Sequence, residues 1–88
     1  MSAADRRSEP RQRGNGSLKL SFDDPAPHEI TGRLVDYSNN GFRAIHGYAA
    51  LHAGQVVDFQ HSVAVGRARV MWNRIMDDRV ETGFLVLK

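Results

Sequence analysis

From Ser17 onward, apolar and polar residues alternate with a period of two over most of the chain. That spacing puts successive side chains on opposite faces of an extended strand. Leu18, Leu20 and Phe22 alternate with Lys19 and Ser21, which predicts a half-buried strand. Asp23, Asp24, Pro25 and Pro27 interrupt it as a turn or loop. Extended structure is expected again from Ile30 to Tyr37, with Ile30 and Leu34 on one face and Thr31, Arg33 and Val35 on the other. Ser38-Asn39-Asn40-Gly41 reads as a turn whose Asn and Gly residues tolerate positive φ. Phe42 to Ile45 is a short strand, and Tyr48 to Gly54 a loop with a packed Leu51. Val56 to His61 is a further strand. Val63 to Asn73 is the longest, with Ala64, Ala68, Val70 and Trp72 facing the core and Arg67 and Arg69 facing solvent. Met76 to Arg79 connects it to a closing strand, Val80 to Leu87. Six short strands with regular turn signals predict an all-β antiparallel barrel or sandwich, with Phe22, Phe42, Phe59, Phe84 and Trp72 in its core.

Residues 1–16 break this pattern. They have no apolar periodicity and carry Arg6, Arg7, Arg11 and Arg13 together with Pro10, Gly14 and Gly16, so they read as a flexible arginine-rich arm ahead of a barrel domain over residues 17–88. A chain of 88 residues makes one domain that buries roughly 60% of its unfolded surface, which leaves little room for an enzyme cleft. Cysteine is absent. That excludes a disulfide scaffold, a thiolate nucleophile and a cysteine zinc site, and it fits a reducing cytoplasm. No apolar run is long enough to span a bilayer and the N-terminus is not signal-like, so the expected location is cytoplasmic. His28, His46, His52 and His61 lack metal-ligand pairing and are read as surface or edge residues, with no metal and no cofactor expected. Asp77 and Asp78 look like turn residues, and nothing orients a nucleophile, so a binding protein is expected rather than an enzyme. The net charge is only +2, yet the arginines crowd one end. A local cationic arm on a near-neutral body suits a small anionic ligand at least as well as a long nucleic acid.

Two local constellations carry the chemistry. Arg7-Ser8-Glu9-Pro10-Arg11 is an R-x-x-x-R spacing just before the first strand, and Asp36-Tyr37-Ser38-Asn39-Asn40-Gly41 is a D-x-S-x-x-G turn between two strands. In this order they resemble the PilZ domain family, which pairs such an arm with such a turn to hold cyclic di-GMP. Leu51-His52-Ala53-Gly54-Gln55-Val56 is similar to the family's entry to its middle strands, and Val70-Met71-Trp72 followed by Gly83-Phe84 to its closing pair. The resemblance covers Arg6 to Leu87. It implies a six-stranded PilZ-type β-barrel that binds cyclic di-GMP through Arg7, Arg11, Asp36, Ser38 and Gly41, with Arg6 as an extra contact. The ligand's chemistry agrees. One guanidinium can meet guanine O6 and N7 with two parallel donors, and arginine stacks on purine faces. Asp36 can accept from guanine N1–H and N2–H, Ser38 can donate to a phosphate, and Gly41 lets backbone approach closely. Ordering of the arm over the ligand is the implied signalling switch toward a downstream protein partner.

The sequence departs from the family in two places. Gln12 to Gly16 is polar and glycine-containing where the family enters an apolar strand almost at once, and there is little or no helix after the last strand. Leu85, Val86 and Leu87 put apolar side chains on both faces of that strand, so one face must pack against a dimer partner, another subunit or the folded-back arm, and a tendency to self-associate as a homodimer is expected. Two other functions compete: a PilZ-like protein-interaction module without ligand binding, and a small barrel binding single-stranded nucleic acid. The second calls for exposed aromatics among the basic residues, whereas the aromatics here fall at predicted core positions.

Overall fold

The computed structural model describes residues 11–23 and 26–88. These residues form seven strands and no helix: β1 (Gln12–Arg13), β2 (Ser17–Phe22), β3 (His28–Tyr37), β4 (Gly41–His46), β5 (Val56–Gln60), β6 (Val65–Met76) and β7 (Arg79–Leu87). All pairings are antiparallel. Six strands close into a barrel in the order β3-β2-β5-β6-β7-β4, with β4 returning to β3. Closure is possible because β3 is ten residues long and gives one edge to β2 and the other to β4. The small β1 adds to β3 on the β2 side, Arg13 opposite Asp36. Part of the stretch expected to be a loose arm is therefore sheet, since Gln12 and Arg13 find backbone partners beyond the end of β2.

The alternating apolar positions fill the barrel. Leu18, Leu20, Leu34, Phe42, Ala44, Val57, Phe59, Ala68, Val70 and Phe84 are all buried, and Leu51 packs in from its loop as expected. Stacked Phe42 and Phe84 rings, with centroids 4.6 Å apart, and the tilted Phe42–Phe59 pair at 4.7 Å occupy the centre. An interior filled in this way leaves the outer wall and the ends as the places where a ligand can bind.

Two β-bulges reset which face the side chains take. On β3, Leu34 pairs with Ala44 and Asp36 with Arg43, so Val35 is an extra residue. On β6, Val70 pairs with Phe84 and Trp72 with Gly83, so Met71 is extra. A residue inserted on one strand reverses the facing of those beyond it. Trp72 consequently leaves the face of Val70 and Ala68 and lies on the outside, 38% exposed, contrary to its predicted core position. Asp36, which strict alternation would place inside with Leu34, also faces out, opposite Arg43.

Two further expectations are corrected. The Ser38–Gly41 turn uses no positive φ, which among the described non-glycine residues occurs only at Asp77. Gly41 is needed instead for close approach, because a Cβ there would lie 2.4 Å from the Phe84 carbonyl oxygen. His46 is not a surface residue. It is buried inside the barrel, continuing the inward series Phe42 and Ala44. Its Nδ1 accepts from the Tyr48 N–H at 3.0 Å, so its ring proton sits on Nε2 and is donated to Thr82 Oγ1 at 2.7 Å. Thr82 in turn donates to Asn73 Oδ1 at 2.6 Å, and Asn73 Nδ2 donates to the Leu51 carbonyl. This directional chain satisfies each polar group only while His46 is neutral.

Burial lowers the pKa of His46 from the ordinary 6.5, and burial also lowers that of His61. A histidine depressed in the fold binds its proton more readily when unfolded, so stability rises with pH through this range. Urea denaturation should show full stability above about pH 6.5 and a progressive loss below it. A midpoint unchanged between pH 7 and pH 5 would contradict this account.

Candidate functional site

Five neighbouring strands each contribute one residue to a row across the outer wall. In register these are Arg13 of β1, Asp36 of β3, Arg43 of β4, Gly83 of β7 and Trp72 of β6. The row exists because the two bulges turn Asp36 and Trp72 outward onto the face that Arg43 and Gly83 reach by plain alternation.

Asp36 organises the charged half. Arg11 donates to its Oδ1 from Nη2 at 2.7 Å and from Nε at 3.2 Å. Arg43 donates to both oxygens from Nε, at 3.2 and 3.0 Å, and makes a further close contact from Nη2 to Oδ2. Burial by itself would raise the Asp36 carboxyl, but the hydrogen bonds from Arg43 and Arg11, with their charges, outweigh it and hold the group below its ordinary 3.8. The same bond to Asp36 raises the pKa of Arg43. The ionic chain continues to β7 and β6, where Arg43 Nη1 donates to Glu81 Oε2 at 3.3 Å and Arg74 Nη2 pairs with Glu81 Oε1 at 3.4 Å.

The other half of the row is a flat aromatic surface. The Trp72 indole lies over Gly83, where an added Cβ would come within 2.3 Å of the ring. The Arg74 guanidinium carbon is 6.0 Å from the indole centroid, within cation–π range. A cleft of about 360 Å³ beside Arg11, Arg13, Asp36 and Arg43 and a second of about 310 Å³ floored by Gly83 and Trp72 share Arg11 and Arg43. Two larger clefts, of about 480 and 490 Å³, lie on other walls, and among the described residues no arginine lines either.

The site residues expected from sequence divide into three groups. Arg11 and Asp36 are brought into direct contact. Arg7 and Arg6 lie outside the described residues. Ser38 and Gly41 are on the turn beyond Asp36, where they border a separate, smaller cavity of about 220 Å³ at the barrel end with Tyr37, His61 and Val63. The Ser38 hydroxyl is held within its own turn, accepting from the Asn40 N–H at 3.4 Å and reaching the Gly41 carbonyl at 3.5 Å. Asp36, expected to accept from a guanine edge, has both oxygens engaged by arginines here. Sequence reasoning missed Arg43, Glu81 and the outward Trp72. Arg43 carried a signal, since it alternates between the inward Phe42 and Ala44. Glu81 and Trp72 depend on register across strands distant in sequence. Among the described residues no group of histidines and carboxylates is placed to hold a metal ion.

No family model matches this chain, and no curated protein matches it either.

Two substitutions test the geometry. Asp36→Asn should cost about 1–2 kcal/mol at pH 7, between the values for exposed and buried ion pairs. The Asp36 pKa is depressed, so its contribution is present above 3.8 and lost as the pH falls below it. The difference between variant and parent in chemical denaturation should therefore shrink as the pH falls through the acid range below 3.8. A gap of constant size would refute the pairing. Gly83→Ala should lift the indole off the sheet. Because Trp72 is the chain's single tryptophan, a red shift and easier quenching of its emission would report this directly, whereas an unchanged spectrum would mean that the ring does not rest there.

Proposed function

We propose that this protein binds cyclic di-GMP on the outer barrel wall, over the row from Arg13 to Trp72, and acts as a binding module rather than an enzyme. One observation carries the reading. Arg11, the second arginine of the R-x-x-x-R spacing, touches Asp36, the first residue of the D-x-S-x-x-G turn, across a sequence separation of 25. One residue of each motif that resembles the PilZ family thus lies on the same patch of a barrel whose interior is filled.

The chemistry of the patch suits a cyclic dinucleotide. Arg13, with no ion-pair partner among the described residues, is available to a phosphate, and Arg11 and Arg43 line both clefts beside it. A guanidinium meets guanine O6 and N7 with two parallel donors. The half-exposed Trp72 ring offers a face for a base to stack on. In this reading Asp36 positions Arg11 and Arg43, and the arginines preceding Pro10 close over the seated ligand. The surface changed by that closure is what a protein partner would recognise.

The outward Trp72 beside Arg74 also favours a second reading, in which the same wall binds single-stranded nucleic acid by stacking and phosphate contact. Isothermal titration calorimetry separates the two. Cyclic di-GMP should bind selectively over GTP and a short oligonucleotide, and Arg11→Ala should weaken it about ten- to a hundredfold, as expected for the loss of charge-assisted hydrogen bonds. Comparable binding of the oligonucleotide, with a steep dependence on salt, would favour nucleic acid instead.

A further inference from the structure

Resting on that reading of the outer wall as an anion site, we propose that Glu81 is a built-in competitor of the ligand's phosphate and sets the affinity of the site. The two carboxylates of the ionic chain are held differently. Asp36 is gripped by several donors from each guanidinium, Arg43 Nη2 in close contact and Arg11 Nη2 at 2.7 Å among them, within the range of strong charge-assisted bonds. Glu81 has a single contact to each of Arg43 and Arg74, at 3.3 and 3.4 Å, well beyond that range. Its side chain is nevertheless only 11% exposed, beneath an Arg74 side chain that is 63% exposed. Glu81 is therefore a poorly hydrated negative charge, loosely bonded, immediately beside the cations that a phosphate would approach.

The consequence follows from charge together with how firmly each carboxylate is bonded. Asp36 fixes Arg11 and Arg43 in place, and an incoming phosphate does not need to displace it. The same phosphate must share Arg43 and Arg74 with Glu81, and it meets the repulsion of that carboxylate at close range and in partly desolvated surroundings, where screening is weak. Neutralising Glu81 removes the repulsion and leaves both arginines on the wall. Neutralising Asp36 instead loosens the arginines. The two acidic residues of one chain thus act on binding in opposite directions.

The experiment titrates the full chain and its Glu81→Gln variant with cyclic di-GMP and, in parallel, with inorganic pyrophosphate, which carries the charge without the bases. Thermal melts of both proteins confirm folding, and Glu81→Met serves in place of the glutamine variant if that one does not fold. Glu81→Gln should bind cyclic di-GMP about tenfold more tightly at low salt, with the advantage shrinking as salt is added, while Asp36→Asn binds more weakly than the parent. Equal or weaker binding by Glu81→Gln, where the parent binds, would overturn this role and leave the receptor reading standing. If neither protein binds the dinucleotide, the receptor reading fails and pyrophosphate decides the role of Glu81. Tighter pyrophosphate binding by the variant supports the competitor, and equal, weaker or absent binding overturns it.

Discussion

A strand that carries one residue more than its neighbour must reverse the facing of everything beyond the insertion. β3 does so at Val35 and β6 at Met71. These two places are linked through β4 and β7, because Asp36 pairs with Arg43, Arg43 with Gly83 and Gly83 with Trp72. Without the first insertion the Asp36 carboxylate would point into a core of leucine and phenylalanine, where an unpaired charge is costly. Without the second, Trp72 would face inward, opposite Thr82. With both, the polar and aromatic side chains fall on one outer row, and the inner row beside it, Tyr37, Phe42, Phe84 and Val70, stays apolar.

The same mechanism marks the boundary of what the sequence could tell. Alternation was enough for the six strands, an all-β barrel or sandwich and a core built from Leu18, Leu20, Phe42, Phe59 and Phe84, because each of these strands is regular over the stretch that carries the signal; closure into a barrel was implied only by the family resemblance. Alternation has no means of marking an inserted residue, so it placed Trp72 with Val70. It also treats a buried polar residue as a surface one. His46 continues the inward series of Phe42 and Ala44 and was misread for its chemistry rather than its position. Its hydrogen-bonded neighbours Thr82 and Asn73 come from strands that meet it only after folding. The candidate site was legible in proportion to how local its parts are. Arg11 and Asp36 stood out through short motifs. Glu81 did not, since its significance lies in being opposite Ile45 on β4 and Arg74 on β6.

Arginine, rather than lysine, is what makes such a wall workable. Arg43 bonds Asp36 through Nε and Nη2 while Nη1 reaches Glu81 on another strand, a division of labour that a planar fork of five donors permits and an ammonium does not. The pairing holds each guanidinium plane in one orientation, which would reduce the entropy lost if an anion bound there. Arg13, Arg33 and Arg69 have no ion-pair partner among the described residues, so the wall also keeps unpaired cations near the organised ones.

Because its residues come one from each neighbouring strand, the site exists only when the barrel is closed. The β3–β4 seam that completes the barrel is also the seam at which Asp36 meets Arg43. A ligand anchored across that seam would bind the folded chain and not the open one, so its binding free energy would add to the stability of closure. Opening the seam would in turn scatter the arginines. The buried His46 chain draws on β4, β6 and β7, three of the strands that carry the outer row, and it holds their relative register from the inside. The neutral interior network and the charged exterior row are therefore two faces of one strand alignment, and a shift in that alignment would disrupt both together.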